Sequence, residues 1–413
     1  MARPSPTRSF QTGTSSEELT RPAASFKELP ADATFEEEEI PEYDSKDFYP
    51  VRLGELFNSR YQVIAKQGFG TSSTVWLCRD LRQVCILAKD HSVVTPQSEN
   101  EVATSRHLKE VCADHEGHKY VRTVQDDFVV TGPHGQHRCL IYKPLGMTYT
   151  QFRNLHPHRL LDQALVQQII QLIFMGLDYL HKGDVVHTDI SPNNILMGVE
   201  DSDMSVFSVV EQTELEQPAP RKTLRDHTIY LSRPTPLTKG PPVLCDLGCS
   251  RIGKKHTGEV MPDFYRAPEV ILGMEWDSKV DIWSMGVMAN LPFQIWDLFE
   301  GGRLFYALKD RMLNDEQHLA EMVSLLGPPP KEFLQRSEKC RQYCDSEGNW
   351  IAKTEIPEQS FEMREYRLQG KDKELLVAFV RSVLRWLPEE RPTAEDLIWD
   401  EWLMQPYLEK PGL

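Results

Sequence analysis

The 413-residue sequence predicts an α+β protein of two lobes, a small strand-rich one followed by a larger, mainly helical one. Three observations carry this expectation. Short apolar runs separated by turn residues fill the chain from Tyr49 to residue 146. Apolar residues at helical spacing dominate beyond it. Residues 1–45, rich in Ser, Thr, Pro and Glu, hold too few apolar side chains to bury a core.

The elements follow in order. Residues 1–45 end in the acidic run 36–39 and are expected to be disordered. Met1-Ala2-Arg3-Pro4-Ser5-Pro6 has no apolar h-region, so no secretory signal is expected there. The first lobe is expected at 46–146. Within it, 61–65 and 74–78 read as strands flanking a glycine turn, 85–88 and 139–142 as further strands, and 99–111 as a helix. The second lobe is expected at 147–405, with 406–413 as a tail. Val166, Ile169, Ile170, Ile173, Leu177 and Leu180 share one helical face, and so do Leu375, Leu376, Phe379, Val380, Val383, Leu384 and Leu387. Residues 200–242, acidic and then Pro-rich, interrupt this lobe and read as a surface insertion. No internal repeat is visible.

The bulk composition, 40% hydrophobic and 26% charged, is that of an ordinary globular chain. No apolar run reaches the roughly 18 residues of a membrane-spanning helix, so no membrane partner is expected. The net charge of −16 argues against direct nucleic-acid binding. It suits a basic protein partner, and it equally serves solubility alone. Eight cysteines are scattered without CxxC spacing, which reads as reduced thiols in a cytoplasmic or nuclear protein. No HExxH or similar histidine pattern points to zinc.

The residues that carry chemistry begin with Gly68-Phe69-Gly70-Thr71-Ser72-Ser73-Thr74-Val75 between two strands. Such a hairpin can offer backbone N–H groups to phosphates, although a Gly-x-Gly hairpin is more often only a turn. Lys89 ends an apolar strand and could pair with Glu101 of the following helix, or simply reach to the surface. His187-Thr188-Asp189-Ile190-Ser191-Pro192-Asn193-Asn194 is more specific. On one loop, Asp189 can accept the proton of an attacking hydroxyl while Asn194 coordinates magnesium. Val243-Leu244-Cys245-Asp246-Leu247-Gly248 then places Asp246, a second oxygen ligand, after another strand.

Over residues 58–405 the chain resembles the eukaryotic protein kinases. Their motif order is met by residues 68–75, Lys89, residues 187–194, Asp246-Leu247-Gly248 and Ala267-Pro268-Glu269. Asp281-Ile282-Trp283-Ser284 and Arg391 match as well. The resemblance implies that Asp281 supports the catalytic loop and that Arg391 pairs with Glu269. Tyr61-Gln62-Val63, Ser73-Thr74-Val75-Trp76-Leu77 and His187-Thr188-Asp189-Ile190 are most similar to the serine/arginine-rich splicing-factor kinases, and the insertion looks like a fungal branch of them. The resemblance implies a monomeric, ATP-dependent serine/threonine kinase of Arg/Ser-rich proteins in mRNA splicing, in the cytoplasm, the nucleus or both. ATP would lie under Gly68, Phe69, Gly70, Ser73 and Val75, its adenine against a linker containing Tyr142 and Leu145. Lys89, braced by Glu101, would hold the phosphates. Asn194 and Asp246 would hold Mg2+, and Asp189 would be the base. Thr257 and Ser250 are the only hydroxyl side chains of Ser or Thr between Asp246 and Glu269, so the resemblance implies activity without activation-loop phosphorylation.

Three positions depart from the family pattern. Ser191 stands where a lysine usually contacts the γ-phosphate, which removes electrostatic stabilisation. Ser73 replaces the third loop glycine, as it does in splicing-factor kinases. Residues 289–294 add a proline within a helix, at a cost of roughly 3 kcal/mol or more, and read either as a bulged loop or as translated intron sequence. Cys245 reads as a reactive thiol of the nucleotide pocket or as a small buried strand residue. The alternative to an active enzyme is a pseudokinase scaffold that binds without turnover. A third reading, an RNA-binding splicing factor, lacks basic patches and aromatic RNP motifs.

Overall fold

The computed structural model describes residues 25–82, 95–156, 161–200, 204–288, 304–365 and 367–408, together with the strand backbone of 86–91. They fall into two compact units. The first joins the chain up to Thr95 with Gln125–Pro144 and Met204–Pro236. The second holds Pro96–Val124, Leu145–Asp203 and the chain from Leu237 onward.

The first unit is built on a sheet of β1 (Leu56–Phe57), β2 (Tyr61–Gly70), β3 (Ser73–Asp80), β4 (Ile86–His91), β5 (Asp126–Thr131) and β6 (Gln136–Tyr142). Their order is β1-β2-β3-β4-β6-β5, antiparallel at every step. Val51, Phe57, Tyr61, Val63, Trp76, Cys78, Ile141 and Tyr230 form its apolar core. Polar side chains then tie the strands: Arg60 grips Asp80 with two bonds of 2.9 and 2.7 Å, and the Tyr61 hydroxyl donates to Asp126 at 2.6 Å.

This unit corrects two expectations. Residues 25–45, expected to be disordered with the rest of 1–45, are folded, and carry a 3-10 helix at Glu36–Glu39; residues 1–24 lie outside the described residues. Composition reads four successive glutamates as a solvated run. Here Glu37 is buried against Lys66, and Glu38 bonds Lys222 at 2.8 Å. Those lysines supply the counter-charge that local composition does not reveal. The second correction concerns the insertion at 200–242, expected as a surface interruption of the helical lobe. Met204–Pro236 instead belongs to the first unit. Its helix Ser205–Glu216 buries Phe207 and places Glu211 in a forked bond with Arg79 of β3 at 2.7 Å. Its strand Thr228–Tyr230 inserts Tyr230 edge-on against Trp76, with ring centroids 5.6 Å apart.

The helix expected at 99–111 within the first lobe runs over Pro96–Val111 and groups with the second unit. That unit is centred on the helix Gln163–Lys182, whose buried face contains Val166, Ile169, Ile170, Ile173, Leu177 and Leu180. Asp162 caps it by accepting from the N–H groups of Ala164 and Leu165, and Gly183 ends it. Two glutamines on this face are buried but satisfied. Gln167 donates to the Trp402 carbonyl at 2.7 Å and Gln171 to the Ile398 carbonyl at 2.9 Å.

The helix Lys279–Met288 is buried around almost its whole circumference. Packing there is tight: a Cβ on Gly286 would meet Val383 Cγ2 at 2.6 Å, which explains the glycine. The expected insert at 289–294 lies outside the described residues. The helix near the C-terminus runs over Gly370–Val383 and buries Leu376, Phe379, Val380 and Val383.

Arg391 and Glu269 form a buried pair, their side chains 0% and 1% exposed. The guanidinium gives two bonds to Glu269, at 2.6 and 2.8 Å, and three more to the carbonyls of Lys279 and Arg385. Stacking on the Trp283 ring, 4.9 Å from its centroid, covers its face. Removing one partner of such a pair leaves a buried charge uncompensated. Glu269→Ala is therefore expected to lower stability by about 3–5 kcal/mol in urea unfolding. A loss under about 1 kcal/mol would show the pair to be energetically idle.

Candidate active site

In the second unit, strand Ile195–Gly198 pairs antiparallel with Gly240–Leu244, with Ile195 opposite Leu244. This register brings two loops to one end of the ribbon. Cys245 N donates to the Asn194 carbonyl at 2.8 Å, so Asn194 and the residue after Cys245, Asp246, emerge together. The amide of Asn194 reaches back to the same loop, donating to the Asp189 carbonyl at 2.8 Å and to Asp189 Oδ2 at 2.9 Å. Asp189, Asn194 and Asp246 thus form one oxygen-rich cluster.

The loop is held from below by Asp281. Its Oδ2 accepts from His187 N at 2.8 Å and stands 3.0 Å from His181 Nε2, while its Oδ1 accepts from Thr188 N at 2.9 Å. Thr188 needs that support, because its φ of +67 is the left-handed region that a β-branched residue avoids. His187 acts as a brace. Its Nδ1 accepts from Asp189 N at 3.2 Å, which leaves Nε2 to donate to the Cys245 carbonyl at 3.1 Å.

Burial, and to a smaller degree the Asp246 charge, push the Asp189 carboxyl above its ordinary value, against the lowering effects of His187 and the Asn194 bond. Among the described residues no lysine or arginine bonds Asp189. Ser191, half-buried, contributes only its carbonyl, which accepts from Asn194 N at 3.0 Å. Asp246 is left-handed as well, with φ of +69, and Gly248 N donates to its Oδ1 at 3.2 Å. A Cβ on Gly248 would stand 3.1 Å from that oxygen, so the glycine keeps the carboxylate uncrowded.

Sequence reasoning missed Asn100. Its Nδ2 fans out to the carbonyls of Leu247, Gly248 and Ser250 at 3.3, 3.0 and 2.8 Å, fixing the segment after Asp246. An asparagine on a polar helix face carries no sequence signal of that role. Glu101, one residue on, is buried. Its expected partner Lys89 is placed in β4 opposite Val75 and Leu140, and the Lys89 side chain lies outside the described residues.

In the first unit, Gly70 pairs with Ser73 to close the hairpin, and Phe69, paired with Thr74 one step behind it, is 40% exposed. A Cβ on Gly68 would meet nothing within 4 Å, and one on Gly70 only Ser73 Oγ at 3.8 Å. Packing therefore does not require these glycines. Open space beside unencumbered backbone fits a hairpin kept clear for phosphates. Ser73 is buried and Val75 half-buried. Tyr142, at the end of β6, is buried. Leu145, in the second unit, packs on Val243, Cys245 and Leu196, the strands that carry Asn194 and Asp246. Cys245, just after the strand Gly240–Leu244, is buried, and burial pushes its thiol up to about 12, which favours a packing role over a reactive one.

The segment after Asp246 is fixed by the protein itself. Strand Arg251–Ile252 pairs with Val185–Val186. His256 and Trp276 exchange two backbone bonds of 2.9 Å, their rings lie 4.9 Å apart, and Trp276 Nε1 donates to the Gly258 carbonyl at 3.0 Å. Thr257, between these anchors, is exposed.

Two carboxylates and one amide would suit a hard cation that keeps water and phosphate among its ligands. Among the described residues no group of three or more His, Cys, Asp or Glu forms a closed metal site. No described helix is long and apolar enough to cross a membrane.

Comparison with known proteins identifies the family. The family model for the protein kinase domain matches residues 61–403. A serine/threonine protein kinase of Aspergillus fumigatus is 40% identical over 92% of this chain and 94% of its own. The serine/threonine-protein kinase SRPK of Physarum polycephalum is 31% identical over 87% of this chain and 90% of its own. Human SRSF protein kinase 3 is 30% identical over 46% of this chain and 35% of its own. The chain belongs to the protein kinase family, with an α+β fold, and is a serine/threonine phosphotransferase similar to the SRPK-type kinases.

Proposed function

We propose that this kinase transfers the γ-phosphate of ATP to serines of basic, Arg/Ser-rich proteins such as those of mRNA splicing, with Asp189 as base and Asn194 and Asp246 as magnesium ligands. The observation that carries the reading is the placement of Asp189, Asn194 and Asp246 at one end of a single ribbon. Support for the substrate class comes from the net charge of −16 and from the SRPK and SRSF-kinase names of similar proteins.

In this reading Asn194 orients Asp189 through Oδ2, leaving Oδ1 for the substrate hydroxyl. The proton moves from that hydroxyl to Oδ1, a bond forms between the serine oxygen and the γ-phosphorus, and the bond to ADP breaks. Bound magnesium supplies positive charge against the phosphate oxygens. The backbone of Gly68 and Gly70 would offer N–H groups to the phosphates. No observation favours the alternative of a scaffold without turnover.

Four outcomes test this. Asp189→Asn should lower turnover on an Arg-Ser peptide by at least about 100-fold while ATP still binds. Acidic and Ser-Pro peptides should be poor substrates beside it, and equal labelling of all three would sink the substrate class. The base works ionised and its pKa is raised, so kcat should fall with acid along a limb lying above the ~3.9 of a free aspartate. A kcat profile flat down to that pH would remove Asp189 from the role. Finally, Thr257→Ala should leave turnover unchanged, whereas Trp276→Ala should reduce it by loosening the segment. Loss of activity in Thr257→Ala would instead show a need for phosphate at that position.

A further inference from the structure

We infer that the acidic segment around Glu36–Glu39 is a positioning element for the glycine hairpin, and that it acts through the buried ammonium of Lys66. Lys66 lies in β2 opposite Trp76, and the register with β3 is irregular between Lys66 and Gly68. Its side chain is only 1% exposed. The ammonium bonds the Glu37 carboxylate, stands 3.5 Å from Glu36 Oε2 and donates to the Tyr230 carbonyl at 3.1 Å. The same ammonium lies 5.4 Å from the centroid of the Phe69 ring, beside Gly68 and Gly70 of the hairpin. One buried charge therefore touches the N-terminal segment, the insertion and the hairpin.

The segment is fastened at several further points, so that its docking is specific. Glu36 accepts from Ser232 N at 2.9 Å and from Ser232 Oγ at 2.6 Å. Glu28 accepts from Thr223 N at 2.8 Å, and Leu29 N donates to the Arg221 carbonyl at 2.8 Å. Arg233 N donates to the Lys66 carbonyl at 2.8 Å, closing the insertion onto the same residue. Glu36 itself is held at a left-handed φ of +58, a conformation that persists only where surrounding bonds over-determine it.

The physical link is desolvation. An ammonium this deeply buried is tolerable only while it is paired. If the acidic segment leaves, Lys66 must be rehydrated, either by swinging outward or by opening β2 beside it. Both movements withdraw it from Phe69 and release the strand leading into Gly68. Docking of the segment and placement of the hairpin are then one linked equilibrium. The consequence for nucleotide rests on the reading of the hairpin as the element covering the phosphates.

The test compares three variants of the full chain by thermal unfolding, amide hydrogen exchange and steady-state kinetics. Glu37→Gln removes the partner charge of Lys66, and Ser232→Asp sets a third carboxylate against Glu36. Arg79→Met is the control. It breaks the Arg79–Glu211 fork in the same unit, and Arg79 bonds neither Lys66 nor the acidic segment. In Glu37→Gln and Ser232→Asp, exchange at residues 67–72 should quicken by at least about fivefold and KM for ATP should rise by a similar factor, with kcat nearly unchanged. Arg79→Met should lose melting temperature without either change. The inference is overturned if hairpin exchange in Glu37→Gln equals that of the wild type, or if Arg79→Met quickens it equally. Exchange is read without substrate, so this failure is distinct from a failure to phosphorylate any peptide.

Discussion

The buried carboxylate of Asp281 is the constraint on which the active-site loop depends. It receives the backbone N–H groups of His187 and Thr188 and meets the ring of His181 at the end of the central helix. Hydrogen bonds to a charged group contribute about 1.5–3 kcal/mol each. A left-handed threonine costs on the order of 1–3 kcal/mol. Asp281 can therefore hold Thr188 in a conformation that the loop would not adopt alone. That conformation turns Asp189 toward Asn194, and Asn194 in turn is joined through its carbonyl to Cys245. One carboxylate on the most buried helix thus fixes a chain of bonds ending at both acidic residues of the cluster.

Much of this was legible in the sequence because it is carried by short motifs and by periodicity. The face from Val166 to Leu180 shows the spacing of a buried helix, and residues 187–194 and 246–248 place their side chains on loops after strands. What escaped was contact between residues distant in the chain. Asn100 lies 147 residues before Leu247, and nothing around it announces three carbonyls to bond. The insertion was equally opaque. Its acidic and Pro-rich composition says surface, whereas Phe207 and Tyr230 bury into the first unit.

Two buried ion pairs show the same boundary. Arg391 with Glu269 is read from sequence because both belong to recognisable motifs. Lys66 with Glu37 is not, since a run of four glutamates resembles a solvated tail in every local respect. Energetically they are alike: each pairs a side chain almost without exposure to a carboxylate and supplements it with backbone carbonyls. The difference is one of information. A run of like charge is disordered only if no opposite charge is buried to receive it, and that condition is tertiary.

Ser191 brings the electrostatics of the site together. A lysine at that position would place a cation near both the γ-phosphate and the Asp189 carboxylate, stabilising charge on the phosphate while depressing the pKa of the base. With serine there, Asp189 has no bonded lysine or arginine among the described residues, and burial holds its carboxyl above the ordinary range. Two effects then oppose one another. In the proposed reading, the site would lose positive charge where phosphate charge develops, and it would keep a stronger base where the hydroxyl proton departs. A raised pKa increases the driving force for proton transfer only while the group remains ionised at working pH. In that reading, the substitution would therefore move the site's dependence from a fixed side-chain cation toward a metal that Asn194 and Asp246 would hold.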